Sequence, residues 1–232
     1  MKTIPSSSYF FAPEIEPLFP TILAIPRGRD VSVAEGDTAF GYVYSGTAKT
    51  HRFAIHQQLR KGMFFSAPGP AQLTGLTGFV CIRRAYRGLP MWGGPIEVQG
   101  RLKYINGCSD TLLLAPAVKG DPCLNYLYIP PGIRQTPHTH PSVRVGCIID
   151  GAGVCVLADE TVDLIPGANF VLPASELHSF HTSTQPLRVV VYHPDSDFGP
   201  TDEFHPMINR TTIDNVTLAS DNNTRPQSTS DL

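Results

Sequence analysis

The chain has 232 residues, with 18 Lys and Arg against 20 Asp and Glu, for a net charge of -2. That balance leaves no basic footprint for nucleic acid or for an anionic membrane. At 41% hydrophobic and 16% charged, the composition is that of an ordinary globular protein, long enough for one large β domain or two small ones. No apolar run approaches the roughly 20 residues that a membrane-spanning helix needs.

The first residues, Met1 to Ser8, lack a basic start followed by a clean apolar core. Pro13, Glu14, Glu16 and Pro17 interrupt the next stretch, so the segment does not read as a signal peptide and a cytoplasmic location is expected. The five cysteines, Cys81, Cys108, Cys123, Cys147 and Cys155, are odd in number and show no Cys-x-x-Cys spacing, which predicts free thiols. Along the chain, 22 prolines and 20 glycines separate short β-rich runs at residues 39–44, 78–83, 111–114, 143–149, 154–157 and 187–192. This rhythm predicts an all-β sandwich or barrel. Only Thr50 to Lys61 is ambiguous between helix and strand. A first unit is expected over residues 1–99, closing with the Gly/Pro-rich connector Gly88 to Pro95, and a second over 100–212. Residues 213–232 are too polar to bury a core and are expected to be disordered.

Chemistry concentrates in the second unit. His138 and His140 stand two apart after Gly132, and His178 follows within Pro173-Ala-Ser-Glu-Leu-His178. On an extended chain, residues i and i+2 share a face. A third imidazole from a neighbouring strand lets the three converge on one ion and leaves its other side open, a catalytic pattern of coordination. The competing reading is a pair of exposed histidines on a Pro-flanked loop. Tyr126 and Tyr128 also share a face, from which one could donate a hydrogen bond to a substrate, although packing in the core competes with that role. Glu176, His181 and His193 are candidates for the surroundings of the site. His181 is expected to face away from His178, and His193 opens a polar loop that also holds His205. His51 and His56 are expected at the surface.

These residues resemble the two motifs of the cupin superfamily. Gly132, His138, His140 and Gly151 stand at the places of the first motif, with Arg144 where a glutamate is usual. Pro173 and His178 fit the second, with Ser175 in place of a glycine. The resemblance covers about residues 125–195 and implies a double-stranded β-helix (jelly-roll) barrel. Phe40 to Gly46 and Leu59 to Gly69 resemble the strand–turn rhythm of a degenerate partner, which implies two barrels in tandem, the first without a metal motif.

The resemblance also implies a metal, Fe(II) first and Zn(II) or another divalent ion otherwise, held by His138, His140 and His178. A guanidinium cannot be a ligand, so Arg144 is expected to receive a substrate carboxylate or phosphate. Alternatively it pairs with Glu176 or Asp163 and braces the barrel. Cupins lacking the glutamate include thiol and diketone dioxygenases. The resemblance therefore implies an Fe(II) dioxygenase acting on a small anionic molecule. A Zn(II) cyclase, isomerase or group-transfer enzyme and a non-catalytic ligand-binding bicupin are the alternatives. The expected partner is a small molecule rather than nucleic acid or membrane. Because cupins commonly pair through edge strands, a homodimer is a further expectation.

Overall fold

A computed structural model describes residues 1–4, 9–52, 55–202 and 205–217. Within them the regular elements are β-strands, apart from 3-10 turns at Ile105–Gly107 and Ile208–Arg210. The first half contributes β1 (Lys2–Ile4), β2 (Phe10–Ala12), β3 (Thr21–Ile25), β4 (Val31–Val33), β5 (Thr38–Ser45) and β6 (Thr47–Arg52). It continues with β7 (Ile55–Arg60), β8 (Phe64–Pro68), β9 (Ala71–Thr74), β10 (Thr77–Arg83) and β11 (Met91–Gly93). The second half contributes β12 (Leu102–Lys103), β13 (Ser109–Leu114), β14 (Cys123–Ile129), β15 (Arg144–Gly151) and β16 (Gly153–Val156). After these come β17 (Thr161–Leu164), β18 (Asn169–Leu172), β19 (Ser179–His181), β20 (Leu187–His193), β21 (Thr212–Ile213) and β22 (Val216–Thr217).

Each half builds one large and one small antiparallel sheet. The first half gives the order β11-β8-β5-β10-β3-β2 and a smaller sheet β4-β9-β6-β7. Leu59, Phe65, Leu73, Leu76 and Val80 fill the space between these two sheets. The second half gives β1-β18-β15-β20-β14-β13-β12 and a smaller sheet β17-β16-β19. A third core joins the halves: Phe40, Tyr42, Phe79 and Cys81 meet Leu124, Val145, Cys147, Val190 and Tyr192.

β20 shows why its sequence, Leu-Arg-Val-Val-Val-Tyr-His, does not alternate between apolar and polar. Leu187, Val189 and Val191 face the core of the second half, while Val190 and Tyr192 face the shared core. A strand buried on both faces reads as a continuous apolar run.

Two differences from the sequence reading are local. The ambiguous Thr50–Lys61 window belongs to the hairpin of β6 with β7, where His51 and His56 are backbone partners. β1 pairs with β18, Lys2 opposite Val171, so the first residues complete the sheet of the second half rather than that of the first. Of the terminal segment, residues 212–217 form the β21–β22 hairpin. The expected disorder beyond it concerns positions that lie outside the described residues.

Candidate metal centre

His138 and His178 face each other across an antiparallel backbone bridge. The His138 N–H donates to the His178 carbonyl at 2.9 Å, and the His178 N–H returns to the His138 carbonyl at 3.0 Å. This pairing brings the two tilted rings to 4.5 Å between centroids, and His140 completes the group at 5.1 Å from each. The His140 carbonyl accepts the Ser175 N–H at 2.8 Å, so the loop bearing the third histidine is tied to the turn before His178. Ser175 takes φ 60 there. This is the left-handed region that favours glycine, the residue usual at its place in the motif.

The three histidines offer ligand atoms that all lie within 4.8 Å of one another, close enough to hold one metal ion. Their backbone also sets the tautomers. His138 Nδ1 lies 2.9 Å from the Thr136 carbonyl and His178 Nδ1 lies 2.9 Å from the Glu176 carbonyl. A carbonyl only accepts, so in both rings Nδ1 carries a proton and Nε2 is the atom left to face a metal. Burial, the Arg144 charge and the other two rings pull His140 down to about 3. Burial lowers His178 as well. Both rings are therefore neutral near pH 7, and the donor set fits a divalent ion.

The cavity beside the rings measures about 90 Å³, against the roughly 10–15 Å³ a single water needs on the same measure. Phe170, Leu172, Phe180 and Val191 supply its apolar wall. Arg144 enters from β15, buried, in the place expected from the sequence, and its restraints fall on one end of the guanidinium. Nη1 donates to the Ser142 carbonyl at 3.1 Å, to Ser142 Oγ at 2.6 Å and to the Val143 carbonyl at 3.1 Å. Its acid is Asp195, at 3.7 Å, rather than Glu176 or Asp163. Ser142 Oγ donates in turn to Asp195 in a short hydrogen bond. Nε of Arg144 is buried with no partner.

The tyrosines lie elsewhere. Asn125 and Leu127 line the cavity, so the alternating residues Tyr126 and Tyr128 point to the opposite face of β14. Tyr126 is fully buried there, and its hydroxyl donates to the Val98 carbonyl at 2.9 Å. The Tyr128 ring sits 5.8 Å from the Arg188 guanidinium. Parity alone assigns a shared face without saying which face is inward.

Glu176 serves the site through its backbone carbonyl. His181 is turned away from the cavity, its Nε2 at 3.1 Å from Ser179 Oγ. His193 does line the cavity, and burial, then the Arg144 charge, hold it well below the ordinary histidine value. His205 accepts the N–H groups of Met207 and Ile208 at Nδ1. Tyr104, Asp110, Asn125 and Gln135 also line the cavity and carry no motif by which the sequence could have singled them out.

Residues 125–193 match the cupin domain family. The chain carries a cupin domain. Among solved structures, a cupin 2 conserved barrel domain protein from Leptotrichia buccalis superposes with a TM-score of 0.60 at 14% identity, covering 84% of this chain and 96% of its own. A variant of salicylate 1,2-dioxygenase from Pseudoaminobacter salicylatoxidans gives 0.59 at 12% identity, covering 82% and 76%. A putative glyoxylate induced protein from Pseudomonas aeruginosa gives 0.59 at 15%, covering 79% and 76%. At such identities the likeness is one of cupin fold. No curated protein matches the chain. Among the described residues, no helix is long and apolar enough to cross a membrane.

Proposed function

We propose that this cupin is a bicupin whose first barrel is a filled scaffold and whose second is a three-histidine Fe(II) dioxygenase for a small carboxylate. The observation that carries the reading is the convergence of three imidazoles on one cavity with a buried arginine beside them. His138, His140 and His178 would hold the ion, and Fe(II) supplies a place where substrate and dioxygen can meet. Similarity of fold to salicylate 1,2-dioxygenase, one structure of which is a complex with gentisate, supports the direction of the chemistry.

The chain's own residues prepare the substrate. Arg144 receives the carboxylate, held in position by Ser142 and Asp195 at the Nη1 end of its guanidinium. Phe170, Leu172 and Phe180 exclude water from the apolar side. Neutral His193 stays uncharged beside Arg144, so it does not compete for the anion.

Oxygen uptake by the Fe(II)-loaded protein, screened against small carboxylates, thiols and diketones, tests the proposal. Uptake stoichiometric with loss of one carboxylate is expected, and Arg144→Gln should raise KM by about tenfold or more, the worth of a charge-assisted hydrogen bond. Turnover that proceeds equally without dioxygen would contradict it and favour the Zn(II) reading.

A further inference from the structure

The cavity contains three polar groups that the protein leaves unanswered. Nε of Arg144 and Oδ1 of Asn125 are both buried without a hydrogen-bond partner. The carboxyl of Asp110 has no hydrogen bond or ion pair among the described residues, and burial alone raises its pKa. Gln135, on the same wall, is answered. Gln135 Oε1 accepts the Phe180 N–H at 3.1 Å and its Nε2 lies 3.4 Å from Cys108 Sγ.

Strand register orders the three. Val145 pairs with Tyr192, which sets Arg144 beside His193; Asn125 pairs with Val191, and Asp110 pairs with Leu127. Arg144, Asn125 and Asp110 thus stand on β15, β14 and β13 of one sheet, all facing the cavity, with a cation at one end and an acid at the other. An ionised carboxylate and an amide oxygen only accept hydrogen bonds. Together they call for a donor, and the unpartnered Nε–H of Arg144 calls for an acceptor such as a carboxylate oxygen.

We infer that the substrate is a small amino or hydroxy carboxylate, its anion received by Arg144 and its ammonium or hydroxyl received by Asp110 and Asn125. The inference rests on the reading of this cavity as the substrate site and adds Asp110 and Asn125 as specificity-determining residues. The chemical logic is that a site built to hydrogen-bond a donor rejects the analogue lacking it, because its own acceptors are then left unpaired.

Calorimetric titration of the Zn(II)-loaded protein with propanoate, 3-hydroxypropanoate and β-alanine tests it, zinc preventing turnover. The wild type should bind at least one donor-bearing acid about tenfold more tightly than propanoate, and Asp110→Asn or Asn125→Leu should erode that advantage while leaving propanoate within about twofold. Tighter binding of β-alanine would identify an ammonium as the donor, and tighter binding of 3-hydroxypropanoate a hydroxyl. Equal binding of all three by the wild type would overturn this inference alone, as would an advantage surviving in both variants. Failure of all three to bind would overturn it together with the carboxylate reading.

Discussion

Arg144 sits where a cupin usually places a carboxylate ligand, and a guanidinium close to three imidazoles placed to hold a metal ion needs an anion to be tolerable. Asp195 provides it from within the chain at 3.7 Å, through a link that Ser142 shares. Replacing Asp195 by Asn keeps the shape and removes the charge. It should cost about 1–3 kcal/mol of stability, read by chemical denaturation, and raise KM for the carboxylate more than it lowers kcat. An unchanged KM would sink the positioning role. Ser175, at φ 60, makes the converse case. Ser175→Gly should stabilise the fold by up to about 1 kcal/mol with metal content unchanged, whereas a lower Tm would show that the serine side chain contributes something else. The three histidines were legible in the sequence because spacing and parity both constrain them. Asp110 and Asn125 were not, since a single acid or amide in an apolar run carries no pattern until its strand is known to face a cavity. For Tyr126 and Tyr128 the choice between substrate contact and packing stayed open in the sequence, because parity cannot say which face of a strand is inward.

At the scale of the element, the sheet leaves room for the cavity by omitting a side chain. A Cβ on Gly146 would lie 2.2 Å from the Phe170 ring, so the glycine of β15 is what lets Phe170 lie across the sheet. Gly146→Val should displace that ring, cost about 1–3 kcal/mol and weaken carboxylate binding; a variant with wild-type affinity would contradict the packing account. Gly151, which the motif marks, has φ 81, and a Cβ there would meet the Pro186 carbonyl at 1.8 Å. The central strands were readable from their apolar runs. β1 was not, because three residues have no measurable period and its partner β18 lies at the far end of the chain. The Thr50–Lys61 window stayed ambiguous because it mixes polar and apolar residues at spacings common to a helix and a twisted hairpin.

Across the whole molecule, the core shared by the two large sheets ties the halves together, with Phe40 and Tyr192 rings 5.5 Å apart at its centre. Protonation should be felt globally as well. In the metal-free protein His140 has its pKa near 3, below its unfolded value of 6.5, so the neutral ring favours the fold. That stability is fully present above about pH 6.5 and is lost as pH falls toward 3. The Tm of chelator-treated protein should therefore be flat above neutrality and decline below about pH 6.5. His140→Gln should flatten the decline, and an identical decline in that variant would assign it to other groups.

Whether His138, His140 and His178 hold one divalent ion decides the proposed function. Elemental analysis of protein purified without added metal, beside the His138→Ala variant, addresses it most directly. Near-stoichiometric metal, iron foremost, is expected in the wild type, with its loss in a folded variant. A wild type that carries no metal and takes up none on reconstitution with Fe(II) or Zn(II) would contradict it.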